Sequence, residues 1–168
     1  MILIVDVHYV GNTAKVSAGL FDNWKSSVFS QVYQIYLDSV SEYISGEFYK
    51  RELPCILKIL KLVKENYDFI VIDGYVYLGG TEKVGLGWYL WDALDNKKTI
   101  IGVAKNYFKN TPDECFIFRG GSIKPLYITS IGLTLDAAKQ HILEMSGEHR
   151  LPTLIKEIDL HSRKNVND

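Results

Sequence analysis

Phe69-Ile70-Val71-Ile72-Asp73-Gly74 is a short apolar run that stops on a lone aspartate and a glycine. A glycine-rich loop follows, then a stretch from about Lys83 to Leu94 with helical character, then a second strand-like run, Thr99-Ile100-Ile101-Gly102-Val103-Ala104, ending in Lys105. Strand, helix and strand with short connectors is the pattern of a right-handed parallel crossover. The same signature opens the chain in Ile2-Leu3-Ile4-Val5-Asp6. An ionised carboxylate is costly to bury unpaired, so two of them ending strands of one sheet imply a ligand that neutralises both, most naturally a divalent metal. The pattern points to a metal-assisted phosphoryl site.

Working outward, the first strand covers Met1 to His8 and breaks at Gly11-Asn12-Thr13. Alternation resumes from Ala14 to Phe21, and Lys25 to Leu37 repeats it with a slip near Ser30 and Gln31. The three runs read as an antiparallel meander. Arg51 to Asn66 places Leu53, Ile56, Leu57, Leu60 and Val63 at helical spacing, with Pro54 in the first turn. After Lys105 the sequence predicts a hairpin, Glu114 to Arg119 with Ser122 to Thr129, turned at Gly120-Gly121. A helix near Thr134 to Met145 and a helix or extended arm from Pro152 to Arg163 close the chain. A meander, a helix and two parallel strand units make a mixed sheet flanked by helices, the order of an α/β ribonuclease H-like fold. In that sheet the Asp6 run neighbours the Asp73 run. Residues 1–163 are expected to form one domain, with residues 164–168 a disordered tail.

The 168 residues suffice for an ordinary core, and 47% of them are hydrophobic. No segment approaches the roughly 20 apolar residues a membrane span needs, and the N-terminus does not read as a secretory signal, so a cytoplasmic protein without an obligate protein partner is expected. Cys55 and Cys115 have no Cys or His at zinc-ligand spacing and read as buried thiols. His8, His141, His149 and His161 likewise form no ligand pattern. The net charge of −1 supplies no global field for a polyanion. Basic residues thicken after the middle, at Lys105, Lys109, Arg119, Lys124, Arg150, Lys156, Arg163 and Lys164, but such scatter is ordinary for a solvated surface.

A lone Asp6 would read as a turn cap or a lysine partner; with Asp73 and Lys105 converging on the strand ends, a functional crevice is the better reading. Glu52, by contrast, reads on charge alone as compensating the helix dipole beside Lys50 and Arg51. The stretch Tyr43-Ile44-Ser45-Gly46-Glu47-Phe48-Tyr49-Lys50-Arg51-Glu52-Leu53-Pro54 resembles the endonuclease V family, in which a tyrosine-isoleucine-proline-glycine wedge precedes an arginine-glutamate pair. Further matches follow in order: Ile4-Val5-Asp6-Val7-His8-Tyr9, Ile70-Val71-Ile72-Asp73-Gly74, Ile101-Gly102-Val103-Ala104-Lys105, Lys124-Pro125-Leu126-Tyr127-Ile128 and Arg150-Leu151-Pro152. The resemblance implies that Asp6, Glu52 and Asp73 hold Mg²⁺, with Mn²⁺ as a substitute, and that Lys105 lies near the scissile phosphate. It implies a wedge at Tyr43 with Gly46, Gly74, Lys124 and Arg150 at the substrate. It also implies a last catalytic group at Asp159, His161 being the alternative on another helix face. The reaction implied is hydrolysis on the 3' side of deoxyinosine, leaving 3'-hydroxyl and 5'-phosphate ends, with DNA or RNA as partner.

This chain also departs from the family pattern. Ser45 stands where proline is usual, Tyr75-Val76-Tyr77-Leu78-Gly79-Gly80-Thr81 replaces a histidine-bearing segment, and Ser130-Ile131-Gly132-Leu133 lacks a histidine after its glycine. These changes predict an intact metal site with weakened or altered deoxyinosine selectivity. Tyr43 and Tyr49 read as stacking candidates, whereas Trp88, Tyr89 and Trp91 read as core. The alternatives are a silent nucleic-acid or nucleotide-binding relative and, less well supported, a receiver-like signalling domain. The latter lacks its acidic neighbour beside Asp6, where Val7 stands, and a second strand-helix unit between Asp73 and Lys105.

Overall fold

The computed structural model describes residues 1–164. Strands β1 (Ile2–Val10), β2 (Thr13–Phe21) and β3 (Gln31–Leu37) form the antiparallel meander. The first turn is closed by Gly11 at φ 59°, a conformation glycine adopts without steric penalty. Helix α1 (Phe48–Leu60) returns the chain to β4 (Phe69–Asp73), which pairs parallel to β1. A small ribbon, β5 (Tyr77–Leu78) with β6 (Lys83–Val84), leads into α2 (Leu86–Ala93) and then β7 (Thr99–Ala104), parallel to β4. Strand β8 (Phe116–Ile117) and the antiparallel β9 (Leu126–Ile131) complete the edge, followed by α3 (Leu135–Glu144) and α4 (Thr153–Arg163). The seven-stranded order β3-β2-β1-β4-β7-β9-β8 is the mixed ribonuclease H-like sheet that the sequence predicts.

Period-two alternation splits the core between the sheet's faces. Leu3, Val5, Ile70, Ile72 and Ile100 pack with Cys55, Ile56, Ile59 and Leu90 under α1 and α2. Ile2, Ile4, Val71, Ile101 and Val103 pack with Ala138, Ile142, Leu154, Ile155 and Ile158 under α3 and α4. Cys55 and Cys115 are buried free thiols. No helix among the described residues is long and apolar enough to cross a membrane. Of the tail expected at 164–168, residues 165–168 lie outside the described residues; the Lys164 carbonyl accepts a 2.7 Å bond from Lys15 Nζ.

Several boundaries differ from the sequence reading. Strand β3 starts at Gln31 instead of Lys25, because Ser30 turns back to the Leu20 carbonyl through both its amide and its hydroxyl. Helix α1 begins at Phe48 without a side-chain cap and ends at Leu60, so Pro54 lies inside it and not in its first turn. Beyond Leu60 the bonds from Leu62 to Ile59 and from Val63 to Leu60 tighten the chain into turns. Lys83 and Val84 belong to the β5–β6 ribbon, not to α2. The turn expected at Gly120-Gly121 forms, with both glycines at positive φ and the Ser122 amide donating to the Arg119 carbonyl at 3.1 Å, but the hairpin expected from Glu114 keeps only two paired residues in β8. The cause is Arg119, whose buried guanidinium donates to the carbonyls of Met145, Gly147, His149 and Arg150 and pins the chain to the segment before α4.

Candidate active site

Strand register assembles the site. In the β1–β4 pairing Val5 faces Ile72, which makes Asp6 and Asp73 the next neighbours along the parallel strands. Asp73 in turn pairs with Val103, and Lys105 follows two residues on, on the same face. That face is covered by α4, which brings Asp159 and Ser162 over the strand ends. Lys105 Nζ lies 3.3 Å from Asp73 Oδ2 and 3.8 Å from Asp159 Oδ1. Asp159 is also held by Arg163 Nε, at 3.0 and 3.1 Å from its two oxygens. Ser162 donates a hydrogen bond to Asp6.

Glu52 approaches from the opposite side of the sheet. It is buried on α1 and accepts a 3.1 Å hydrogen bond from the hydroxyl of Tyr9, whose ring packs on the α1 face of β1. The guanidinium of Arg51 lies 3.7 Å from the centre of that ring and donates to the Gly11 carbonyl. Asp6 and Glu52 are thus both buried on neutral hydroxyl partners, and neither has an ion pair among the described residues. Burial pushes the Asp6 carboxyl up to about 6; the Ser162 bond and Lys105 oppose the rise, while Asp73 and Asp159 add to it. Burial likewise pushes Glu52 up to about 8, opposed by Tyr9 and reinforced by Asp6 and Asp73.

In this arrangement no three His, Cys, Asp or Glu side chains among the described residues converge closely enough to enclose a metal ion. The fit to a divalent cation is one of donor chemistry and charge: hard oxygen ligands, two of them buried without a counter-ion. Lys105 supplies the only lysine cation paired with these carboxylates among the described residues.

The other expected residues are spread more widely. Tyr43 is exposed in the segment before α1, and Gly46 in the same segment has φ 80°. Gly74 at φ 141° follows Asp73 directly, with open space where a Cβ would project. Lys124 is exposed, and its Nζ lies 3.3 Å from Asn106 Oδ1. Arg150, expected at the substrate, instead donates through Nη2 to the carbonyls of Lys105 and Pro125, at 2.5 and 2.8 Å. It therefore braces the segment that carries Lys105. Tyr49 is not a free stacking surface either, because its ring is stacked on Tyr89 with centroids 3.8 Å apart. His161 faces Gln34 and Glu157, away from the carboxylates. Tyr9 and Ser162 were not singled out from the sequence, although Ser162 lies at helical spacing from Asp159.

The sequence matches the family model described as Endonuclease V over residues 1–127 of the 168. The chain belongs to the endonuclease V family. An endonuclease V of Dictyoglomus thermophilum is 26% identical over 144 residues, covering 74% of this chain and 62% of the relative. The chain thus spans 62% of the length of that curated relative. Among solved structures, the endonuclease V of Streptomyces avermitilis superposes with a TM-score of 0.74 at 23% identity, over 96% of this chain and 79% of the other. The endonuclease V of Ciona intestinalis, solved with a 24mer DNA containing an inosine followed by a ribo-adenosine, gives 0.80 at 18% identity, over 99% and 85%. At these identities the structural likeness shows the fold, and membership of the endonuclease V family rests on the sequence match.

Proposed function

We propose that this chain is a Mg²⁺-dependent endonuclease that hydrolyses a phosphodiester on the 3' side of inosine or another aberrant base, leaving 3'-hydroxyl and 5'-phosphate ends. The observation that carries this reading is the buried, unneutralised pair Asp6 and Glu52, beside Asp73, Asp159 and Lys105 at the strand ends of a ribonuclease H-like sheet. The match to the endonuclease V family, and the inosine-containing DNA in the Ciona complex, support the substrate.

In this reading Asp6, Glu52 and Asp73 are the residues that would hold Mg²⁺, and Mn²⁺ would substitute. A bound divalent ion supplies charge stabilisation for the gathering negative oxygens and lowers the pKa of a coordinated water. Ser162 keeps one Asp6 oxygen oriented, and Tyr9 does the same for Glu52. Lys105 presents a point charge to the scissile phosphate, positioned through its main chain by Arg150. Asp159 sits within reach of Lys105 and acts as the last group of the cluster, able to orient a water. Tyr43 wedges beside the displaced base, while the open backbone at Gly46 and Gly74 leaves room for that base to approach. Lys124 contacts the strand.

Nicking of matched oligonucleotides that differ by a single inosine, in DNA and RNA versions, tests this function. Cutting one bond 3' to inosine is the expected result, with less selectivity for deoxyinosine than an ordinary family member because Tyr75 to Thr81 lacks histidine. Cutting elsewhere, or at every sequence equally, would refute the substrate. A silent nucleic-acid-binding relative is favoured by one observation, the absence of a closed three-ligand cluster among the described residues. Tight binding without cutting in Mg²⁺ or Mn²⁺ would establish that reading instead.

A further inference from the structure

Directly after Lys105 the chain makes a loop whose rings face outward. Tyr107 is 57% exposed and Phe108 42%. Neither ring hangs free. Tyr107 leans edge-on against Tyr127, with centroids 5.8 Å apart, and Phe108 lies against Tyr75 at 6.1 Å. The Tyr75 hydroxyl donates to the Asn106 carbonyl at 2.7 Å and accepts from the Phe108 amide at 3.2 Å, and Thr111 closes the turn on the Phe108 carbonyl. The loop is therefore ordered before any partner arrives, which lowers the entropy lost on binding.

The neighbouring loop joins it through the contact between Lys124 and Asn106, and brings Phe118, 58% exposed, and Ile123, 97% exposed. Residues 105–111 and 118–125 contain Lys105, Lys109, Arg119 and Lys124 and no carboxylate. Arg119 is occupied by main-chain carbonyls, so Lys109 and Lys124 carry the charge outward. Rigid, outward aromatic faces beside lysines match the chemistry of unpaired bases on a phosphate backbone. A base-paired duplex offers no free base faces to such rings.

We propose that the loop of Tyr107 and Phe108, with Lys109 and Lys124, is a stacking platform for single-stranded nucleic acid beside the candidate site. As a route for the strand cut at Lys105, it rests on the endonuclease reading. The platform itself is tested separately, by binding without catalysis.

Fluorescence anisotropy with a labelled 12-nucleotide single strand, and with the same sequence as a duplex, is measured on Asp73→Asn protein in chelator. Replacing Tyr107 and Phe108 with alanine is expected to weaken single-strand binding about tenfold per ring, while duplex binding changes little. Tyr107→Trp keeps a ring and guards against misfolding: it should retain affinity, and its emission should be quenched by the single strand. Unchanged affinity in the double alanine variant, equal losses for strand and duplex, no detectable binding, or an unquenched tryptophan would each overturn the platform. Nicking by the otherwise wild-type protein is followed in parallel. Nicking with ring-insensitive binding refutes the platform alone, and ring-sensitive binding without nicking refutes the endonuclease alone.

Discussion

Replacing Glu52 with glutamine removes one charge from the acidic cluster while keeping an acceptor for Tyr9. Burial holds the Glu52 carboxyl at about 8 against an ordinary 4.5. A carboxyl whose folded pKa lies above its unfolded one supports folding below pH 4.5, and that support is lost as the pH rises towards 8. The interval from 4.5 to about 8, at about 1.4 kcal/mol per pH unit, gives a ceiling on the order of 5 kcal/mol for the metal-free protein. For a chain of this size that corresponds to a Tm difference on the order of 10 °C. Thermal melts followed by circular dichroism in chelator at pH 5, 7 and 9 should show Glu52→Gln gaining on the wild type as the pH rises. Adding Mg²⁺ at pH 9 should then raise the wild-type Tm more than that of the variant, because the ionised carboxylate becomes a ligand. A Tm gap that stays constant from pH 5 to pH 9 in chelator would refute the assignment of Glu52 as a buried, unneutralised acid.

Ser162→Ala removes a hydroxyl that lowers the Asp6 pKa, so the acidic limb of the pH–rate profile should move to higher pH, with the largest loss of rate near pH 6; an unmoved limb would detach Ser162 from the site. Lys105→Met takes away the cation 3.3 Å from Asp73 and 3.8 Å from Asp159, and should cut the rate by about 100-fold or more while Mn²⁺ binding, read by electron paramagnetic resonance, becomes tighter. Weaker Mn²⁺ binding would mean that Lys105 organises the carboxylates instead of serving the phosphate. Arg119→Met leaves the Met145, Gly147 and His149 carbonyls without their donor, and urea unfolding should show a loss of about 3 kcal/mol; a loss within the scatter of surface substitutions would remove Arg119 as the tie that shortens the hairpin.

The strand ends were legible because two simple rules act together there. Parallel pairing aligns Asp6 with Asp73, and period-two alternation puts both on the face that Lys105 shares. Glu52 was not legible by charge alone, since an acid near a helix start has an ordinary role in the dipole; only the family resemblance selected it. Tyr9 lies just past the expected end of the first strand at His8, and its bond to Glu52 comes from a helix 43 positions away. Arg119 was opaque for a different reason: its partners are main-chain carbonyls, which carry no side-chain signature. The start of α1 was misplaced because Phe48 follows a residue that makes no side-chain cap, so the usual start signal is missing. The bonds from Arg150 to the Lys105 and Pro125 carbonyls were likewise not legible, since its motif suggests only a place at the substrate.

The metal-assisted site is tested most directly by strand cleavage with the wild type and Asp73→Asn on one inosine-containing oligonucleotide, with Mg²⁺ and with chelator. A single cut 3' to inosine, in Mg²⁺ and by the wild type alone, is the expected result. Equal cutting by the variant, or cutting that persists in chelator, would contradict a metal-assisted site built on these carboxylates.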